Sequence, residues 1–310
     1  MKVIVALDGE VLVSTTNKLE MAGQREAIAQ IAAQIATLIE EGHDIVVTHG
    51  NAPQVGSVLF RSEVASHAIH SLPLDVCGAD TQGATGYMLQ QALQNELDSR
   101  NIDRDAATVV TQVLVDPAKS SQVKGIGPFF DRNRANAYEN SRGWEFILIA
   151  GHGYQRAVPS LLPQRIFEGN VIRSLVQGGA VVVCAGGGGI PVRLNEDGRR
   201  VGVEAVVDKA HTALLLAKEV QADTIIFVTH MEKLERAFRL SLRYELATLS
   251  LSDVEDILDA ETPESSTSVY PELIAARNFV REHETRRVFL TPPERLADVI
   301  SGCCGIAIVP

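Results

Sequence analysis

The sequence predicts an α/β protein, a three-layer αβα sandwich around a mostly parallel central sheet. Short apolar runs alternate with longer segments of helical periodicity along the 310 residues. The short runs are continuously apolar, as in Val3-Ile4-Val5 and Ile45-Val46-Val47, which is typical of strands covered by helices on both faces. Glycine-rich loops follow several of the runs. This alternation favours a parallel sheet between two layers of helices.

The individual elements follow from the same patterns, taken in chain order. Strands are predicted at residues 3–7, 44–50, 108–115, 180–184, 224–229, 287–290 and 305–309. Helices are predicted at residues 24–41, 84–96 and 208–220. Gly42 ends the first of these helices, since glycine readily adopts the left-handed conformation that closes a helix.

Two regions break the alternation. Residues 118–155 carry glycine, proline and charge with little periodicity, and we interpret them as a lid or small subdomain over a site. Residues 255–268 are acidic and then rich in serine and threonine. They predict a solvated loop with the end of a helix at its start.

The composition excludes several classes of partner. The formal net charge is -11, with 28 Lys and Arg against 39 Asp and Glu, so nucleic acid and anionic membranes are not expected as partners. The four cysteines form no CxxC pair and no cluster with zinc spacing. We therefore expect a reduced, cytoplasmic protein without a metal site, a signal peptide or a membrane span.

Three glycine-containing loops are the candidate ligand site, because ligands of open α/β sheets bind at the carboxyl ends of strands. The candidate binding residues in them are Gly9, Gly50, Asn51, Gln54, Gly186, Gly187, Gly188 and Gly189. Four consecutive glycines cost conformational entropy on folding, so we interpret that run as a ligand contact rather than a plain turn. No loop matches a Rossmann fingerprint or a P-loop.

Two lysines are candidates for handling phosphate. Phosphoryl transfer relies on positioning and on cations around the moving group. Lys124 lies in the predicted lid, and Lys209 follows Asp208 at the start of a predicted helix, where the helix dipole adds positive potential. An exposed surface lysine is the alternative for each, since that is the usual environment of lysine.

Several motifs, in one order along nearly the whole chain, resemble those of the carbamate kinases of the amino acid kinase superfamily. They are His49-Gly50-Asn51 with Pro53-Gln54-Val55-Gly56, Pro73-Leu74-Asp75 with Thr81-Gln82-Gly83, Lys124 with Ile126-Gly127-Pro128-Phe129, Gly153-Tyr154 with Val158-Pro159-Ser160, residues 186–192 and residues 202–209. The resemblance implies one amino acid kinase domain over residues 1–310, with residues 118–155 as a lid within it, and a homodimer.

The resemblance also implies an activity. It is reversible phosphoryl transfer between ATP and carbamate, with ATP made from carbamoyl phosphate and ADP in arginine or purine nitrogen catabolism, and with Mg²⁺ accompanying the nucleotide. Lys124 and Lys209 would flank the transferred phosphoryl group, and Asp208 would act with Lys209 on the nucleotide side. Gly50 and Asn51 would hold the carbamate, and the glycines 186–189 would line the same cleft.

Several positions differ from the motifs of that family, and four of them bear on the phosphate side of the site. Asp8 and Glu10 stand in place of glycine and asparagine, Ala210 in place of aspartate, and Glu272 in place of lysine. We expect Asp8, Glu10 and Glu272 to crowd the mouth of the cleft near Lys209. Two functions are therefore open at this level: a divergent carbamate kinase, and a catalytically inactive homologue that binds a ligand or a protein partner in a regulatory or assembly role.

Overall fold

The computed structural model describes residues 1–13, 21–119, 122–149, 151–238, 246–260, 269–302 and 304–310. The strands are β1 (Lys2–Leu7), β2 (Asp44–His49), β3 (Ala106–Val109), β4 (Gln112–Val115), β5 (Gln122–Phe130), β6 (Phe146–Ile149), β7 (Gly153–Leu161), β8 (Pro163–Ile166), β9 (Val181–Cys184), β10 (Ile190–Leu194), β11 (Arg200–Gly202), β12 (Val206–Val207), β13 (Thr224–Val228), β14 (Leu246–Leu249), β15 (Arg287–Thr291) and β16 (Gly305–Ile308). The helices are α1 (Met21–Glu40), α2 (Ala52–Val64), α3 (Leu74–Ser99), α4 (Arg132–Arg142), α5 (Gly169–Gln177), α6 (Lys209–Val220), α7 (Met231–Phe238), α8 (Leu251–Ala260) and α9 (Tyr270–Val280).

The central sheet is mostly parallel, which confirms the predicted fold class. Within the described ranges its order is β14-β16-β15-β13-β1-β2-β9-β3. All neighbouring strands pair in parallel except β15 and β16, which are antiparallel. The strands β1, β2 and β9 lie side by side, so the loops that follow them open at one edge of the sheet.

Each face of the sheet is covered by its own layer of helices. On β1, Val3 and Val5 pack in a cluster with residues of α1 and α3. On the opposite face Ile4 and Ala6 pack in a cluster with residues of α5, α6, α8 and α9. Successive residues of a strand point to opposite faces, so an apolar run without alternation is what a sheet between two helical layers requires.

One predicted strand is two in the structure. Residues 108–115 divide into β3 of the central sheet and β4 of a second sheet, whose order is β11-β10-β4-β8. Thr111 lies at the division, where its hydroxyl accepts a hydrogen bond from the Ala185 N–H at 2.9 Å and donates one to the Val109 carbonyl at 2.7 Å. These bonds redirect the chain toward the loop after β9, which apolar periodicity alone does not show.

The region predicted as a lid contains β5, α4, β6 and the start of β7. Strand β7 pairs antiparallel with both β5 and β6, and it continues to Leu161, beyond the predicted boundary at residue 155. An aromatic cluster packs these elements against α2; its members are Phe60, Phe130, Tyr138, Trp144, Phe146 and Tyr154. The role of this region as a lid stays a prediction.

The helix end expected within residues 255–268 is also present. Helix α8 runs to Ala260, with Val254 and Leu258 buried. Residues 261–268, predicted as a solvated loop, lie outside the described residues. In the part of the chain that is described, no helix combines the length and apolar character that crossing a membrane requires.

Candidate active site

The loops after β1, β2 and β9 meet at the carboxyl edge of the sheet, as the sequence predicts. Gly50 donates its backbone N–H to the Leu7 carbonyl at 2.7 Å. A Cβ atom on Gly50 would lie 2.6 Å from the Gly9 nitrogen, and one on Gly187 would lie 2.3 Å from Nδ2 of Asn51. These distances are too short for any side chain, so the three loops need glycine to approach one another.

The glycines at 186–189 are all buried, and each one is in close contact with a neighbour. Gly187, Gly188 and Gly189 have φ angles of 67°, 86° and 97°, in a region that favours glycine. A Cβ on Gly188 would lie 2.7 Å from the Val207 carbonyl oxygen, and one on Gly189 would lie 2.5 Å from Cγ1 of Val113. Packing against the protein's own chain therefore explains the run, while the predicted ligand contact stays a prediction.

Polar side chains of α2 and α3 hold these loops in place. Asn51 donates from Nδ2 to Thr81 Oγ1 at 2.7 Å, and Gln54 donates from Nε2 to the Gly9 carbonyl at 3.3 Å. Gln82 donates to the Gly186 carbonyl at 2.8 Å and accepts from the Thr111 N–H at 2.8 Å. Thr81 and Gln82 lie within a motif that by itself assigns them no role. The structure shows that they anchor the glycine loops.

An ion cluster at the end of β1 is built around Asp8. Lys209 Nζ lies 2.5 Å from Asp8 Oδ1, and Lys233 Nζ lies 3.1 Å from Oδ2. Thr229 donates its hydroxyl to the same Oδ2 at 2.5 Å. Glu272 Oε1 lies 3.4 Å from Lys209 Nζ. Two carboxylates thus face two ammonium groups within the cluster.

The cluster keeps Asp8, Lys209 and Lys233 charged. Burial alone would raise the pKa of Asp8, but the ammonium groups of Lys209 and Lys233 outweigh burial and hold that pKa well below its usual range. Burial alone would lower the pKa of Lys209, and the carboxylates of Asp8 and Glu272 outweigh it and raise that pKa. The pKa of Lys233 is raised in the same way, chiefly by Asp8 against burial.

The expected crowding of carboxylates near Lys209 is found for two of the three residues. Asp8 and Glu272 contact Lys209, whereas Glu10 is exposed. Lys233 also belongs to this cluster, and it was not predicted as a site residue. It lies on α7, directly after the carboxyl end of β13, so the rule that placed the other loops at the site could have found it.

Asp208 stands at the start of α6. Asp208 is the N-cap, and its Oδ1 accepts the His211 N–H at 2.8 Å and lies 2.9 Å from His211 Nδ1. Burial would raise the pKa of Asp208, but His211 and, more weakly, Lys124 lower it to about 2. Lys124 is exposed on β5 and has no ion pair among the described residues of the site, so its role at the site stays a prediction.

Ala210, the second residue of α6, is buried in the apolar cluster on one face of the sheet. The side chain at this position therefore packs into the core of the protein. The carboxylates beside Lys209 come instead from the loop after β1 and from α9.

His49 is a buried polar residue at the site for which no role was predicted from the sequence. The residue has no exposed surface. Its Nδ1 lies 3.0 Å from the Gly50 carbonyl oxygen, and Nε2 has no hydrogen-bond partner among the described residues. Burial, with a smaller contribution from Lys209, lowers the pKa of His49 to about 4. The imidazole is neutral at physiological pH, with Nδ1 as the donor.

The donor set does not fit a resident metal ion. Across the described ranges, no three His, Cys, Asp or Glu side chains form a group that could hold one. Both oxygens of Asp8 are bonded to ammonium or hydroxyl groups.

Comparison with known proteins identifies the relationship. The family model described as "Amino acid kinase family" matches residues 1–284. A carbamate kinase of Pyrococcus horikoshii is 35% identical, covering 100% of this chain and 99% of its own. The chain belongs to the amino acid kinase family, in its carbamate kinase group.

Other members of the group give the same result. The carbamate kinase-like protein YahI of Escherichia coli is 38% identical, over 99% of this chain and 98% of its own. Among solved structures, a carbamate kinase from Giardia lamblia bound to citric acid superposes with a TM-score of 0.89 at 29% identity, over 99% of this chain and 98% of its own. The same Giardia enzyme bound to AMP-PNP gives a TM-score of 0.83 at 29% identity.

Proposed function

We propose that the protein transfers a phosphoryl group reversibly between ATP and carbamate, and makes ATP from carbamoyl phosphate and ADP. One observation carries the proposal. A chain that is 35% identical to a carbamate kinase over its full length brings Lys209 and the glycine loops together at one edge of its sheet. The binding of AMP-PNP by the Giardia enzyme supports a nucleotide site in this fold.

The residues divide into a cationic side and a backbone side. Lys209, at the first turn of α6, and Lys124, on β5, stabilise the charge that spreads over the transferred phosphoryl group. Asp208 caps α6 and thereby fixes the start of the helix that carries Lys209. The loops at Gly9, at Gly50 and Asn51, and at 186–189 receive the small substrate, and Gln54 holds the first of these loops.

Mg²⁺ enters this proposal with the nucleotide. Proteins usually bind Mg²⁺ through substrate phosphates and at most a few carboxylates, and it supplies positive charge to the phosphates when bound. The work of this chain's own residues is to orient the reactants and to stabilise charge.

The test is ATP formation from ADP, Mg²⁺ and carbamoyl phosphate. The wild type is expected to turn over, and Lys209→Ala is expected to lose about 100-fold or more in kcat because a buried cation at the reacting group is removed. Lys218→Ala is the matched control. Lys218 lies at the other end of α6, where its Nζ is 2.5 Å from Glu282 Oε1, and the variant should retain activity.

Absence of turnover in the wild type, together with absence of ADP binding in calorimetry, would contradict the proposal. That result would favour a catalytically inactive homologue with a binding or regulatory role. The homodimer implied by the resemblance is a separate proposal, and sedimentation equilibrium measures it directly.

A further inference from the structure

The two oxygens of Asp8 are shared between two lysines. Oδ1 accepts from Lys209 at 2.5 Å, while Oδ2 accepts from Lys233 at 3.1 Å and from the Thr229 hydroxyl at 2.5 Å. Lys209 and Asp8 are 201 positions apart in the sequence, and Lys233 and Asp8 are 225 apart. One carboxylate therefore sets the positions of two ammonium groups that come from separate helices.

Lys233 is the more open of the two cations. Its side chain is 24% exposed, against 8% for Lys209. Lys209 has a second carboxylate beside it, Glu272 at 3.4 Å. Within the described residues the carboxylate in direct contact with Lys233 is that of Asp8, and Glu272 and Glu10 act on Lys233 from a longer distance. An ammonium group carries three N–H donors, so Lys233 can bind a further anion while it remains on Asp8.

We propose that Lys233 is a second cationic residue for the transferred phosphoryl group, and that Asp8 is the positioning residue that orients Lys233 and Lys209 toward it. This inference rests on the proposed phosphoryl transfer, in which Lys209 flanks that group. A phosphoryl oxygen held by Lys209 is close to Lys233, because both ammonium groups contact the same carboxylate. Position 272 is a lysine in the motifs of the family and a glutamate here. Lys233, on α7, supplies a cation in place of that lysine.

The opposite role for Asp8 is a competitor, in which its carboxylate occupies the place of the substrate anion. The geometry favours positioning for two reasons. Asp8 takes a single donor from each ammonium group, which leaves the others free. A buried ammonium without a counter-charge is costly, so Lys209 needs a carboxylate in order to stay charged beside the reacting group. The two roles predict changes of opposite sign when Asp8 is neutralised.

The first measurement is the affinity of each variant for AMP-PNP and for ADP by calorimetry, which needs no turnover. AMP-PNP carries the third phosphoryl group and ADP lacks it. Lys233→Met is expected to weaken AMP-PNP binding about 5-fold or more and ADP binding less than about 2-fold, because it removes a charge near that group alone. Lys218→Met, which removes an ion-paired lysine far from the cluster, should change neither.

The second measurement is steady-state ATP formation. Lys233→Met is expected to lower kcat about 10- to 100-fold, and Lys233→Arg should restore most of it because the charge is retained. Asp8→Asn is expected to lower kcat about 10-fold or more with the KM for ADP changed less than about 3-fold. If Asp8 had a purely structural role, Asp8→Asn would lower the thermal midpoint of unfolding but would not lower kcat selectively over the KM for ADP.

Distinct outcomes overturn distinct claims. If the wild type makes ATP, and Lys233→Met has the same nucleotide affinity and the same kcat as Lys218→Met, the role of Lys233 is overturned and the proposed function stays intact. Tighter AMP-PNP binding or faster turnover in Asp8→Asn overturns positioning and identifies a competing carboxylate. A wild type that neither makes ATP nor binds either nucleotide overturns both the function and the inference. Because Lys233 is partly exposed, its variants are expected to fold. They therefore test the proposal even if Asp8→Asn does not fold.

Discussion

Single residues explain why glycine stands at position 186, in the loop after β9. A Cβ on Gly186 would lie 2.4 Å from Nε2 of His49 and 2.6 Å from its Cε1. His49 is fully buried and its Nδ1 is held by the Gly50 carbonyl, so the ring has little freedom to move. Nε2, which has no hydrogen-bond partner among the described residues, is the atom nearest to such a Cβ, so this pair is a steric constraint on the site.

Gly186→Ala is therefore expected to destabilise the fold. The overpacked methyl group should cost about 1–3 kcal/mol of the free energy of unfolding, measured by urea denaturation. Gly83→Ala is the matched control, because Gly83 is exposed within α3 and a Cβ there meets nothing within 4 Å. The control should be neutral or more stable by up to about 1 kcal/mol, since alanine favours a helix. Equal behaviour of the two variants would contradict the steric explanation.

Among the elements, α2 links the central sheet to the region of residues 122–161. A Cβ on Gly56 of α2 would lie 2.0 Å from the Gly127 nitrogen of β5, so the two backbones touch. Glu63 at the end of α2 binds Arg142 at 3.1 Å and Arg156 at 3.3 Å. The guanidinium of Arg156 lies 4.3 Å from the centre of the Trp144 ring. One glutamate thus connects α2 with α4 and β7.

Glu63→Gln is expected to loosen this connection. It removes the charge from two partly buried ion pairs, each contributing about 0.5–1 kcal/mol. Amide hydrogen exchange should become about 2- to 10-fold faster in β6 and β7 and unchanged in β1 and β2. Glu96→Gln, which weakens an ion pair with Arg100 on α3, should leave β6 and β7 unaffected. If the exchange rates of β6 and β7 are the same in Glu63→Gln and in Glu96→Gln, the ion pairs of Glu63 do not hold residues 122–161 in place, and the aromatic cluster does.

For the molecule as a whole, a buried neutral histidine links stability to pH. His49 has its pKa lowered from 6.5 to about 4 by burial, with Lys209 as a lesser cause. Between these values the unfolded chain binds a proton that the folded chain does not. The stabilisation is therefore complete above pH 6.5 and is lost as the pH falls toward 4.

The expected loss from His49 is about 3 kcal/mol over that interval. Urea denaturation at a series of pH values measures it, and His49→Gln should flatten this part of the profile because glutamine does not titrate. Asp208, whose pKa is lowered to about 2, contributes only at more acidic pH, as the pH falls through its unfolded and then its folded pKa. An unchanged slope in His49→Gln would show that His49 is protonated without penalty in the folded state.

Much of the architecture can be predicted from short-range patterns in the sequence. Apolar runs such as Val3-Ile4-Val5 predict buried parallel strands, because their side chains meet helices on both faces. Glycine at 9, 50 and 186–189 marks the strand ends, and Lys209 follows a helix cap that its neighbour Asp208 provides. These features depend on residues a few positions apart, so a pattern along the chain is enough to find them.

The tertiary structure decided which charges meet. Lys233 contacts Asp8 across 225 positions, and no spacing rule connects such distant residues. The contact of Glu272 with Lys209 was expected from the family resemblance, and the structure shows that it comes from α9. It also decided that residues 108–115 form two strands, because Thr111 bonds to the loop after β9. Strand and helix identity follow from local periodicity, whereas the charge at the site is the sum of side chains that only the folded sheet brings together.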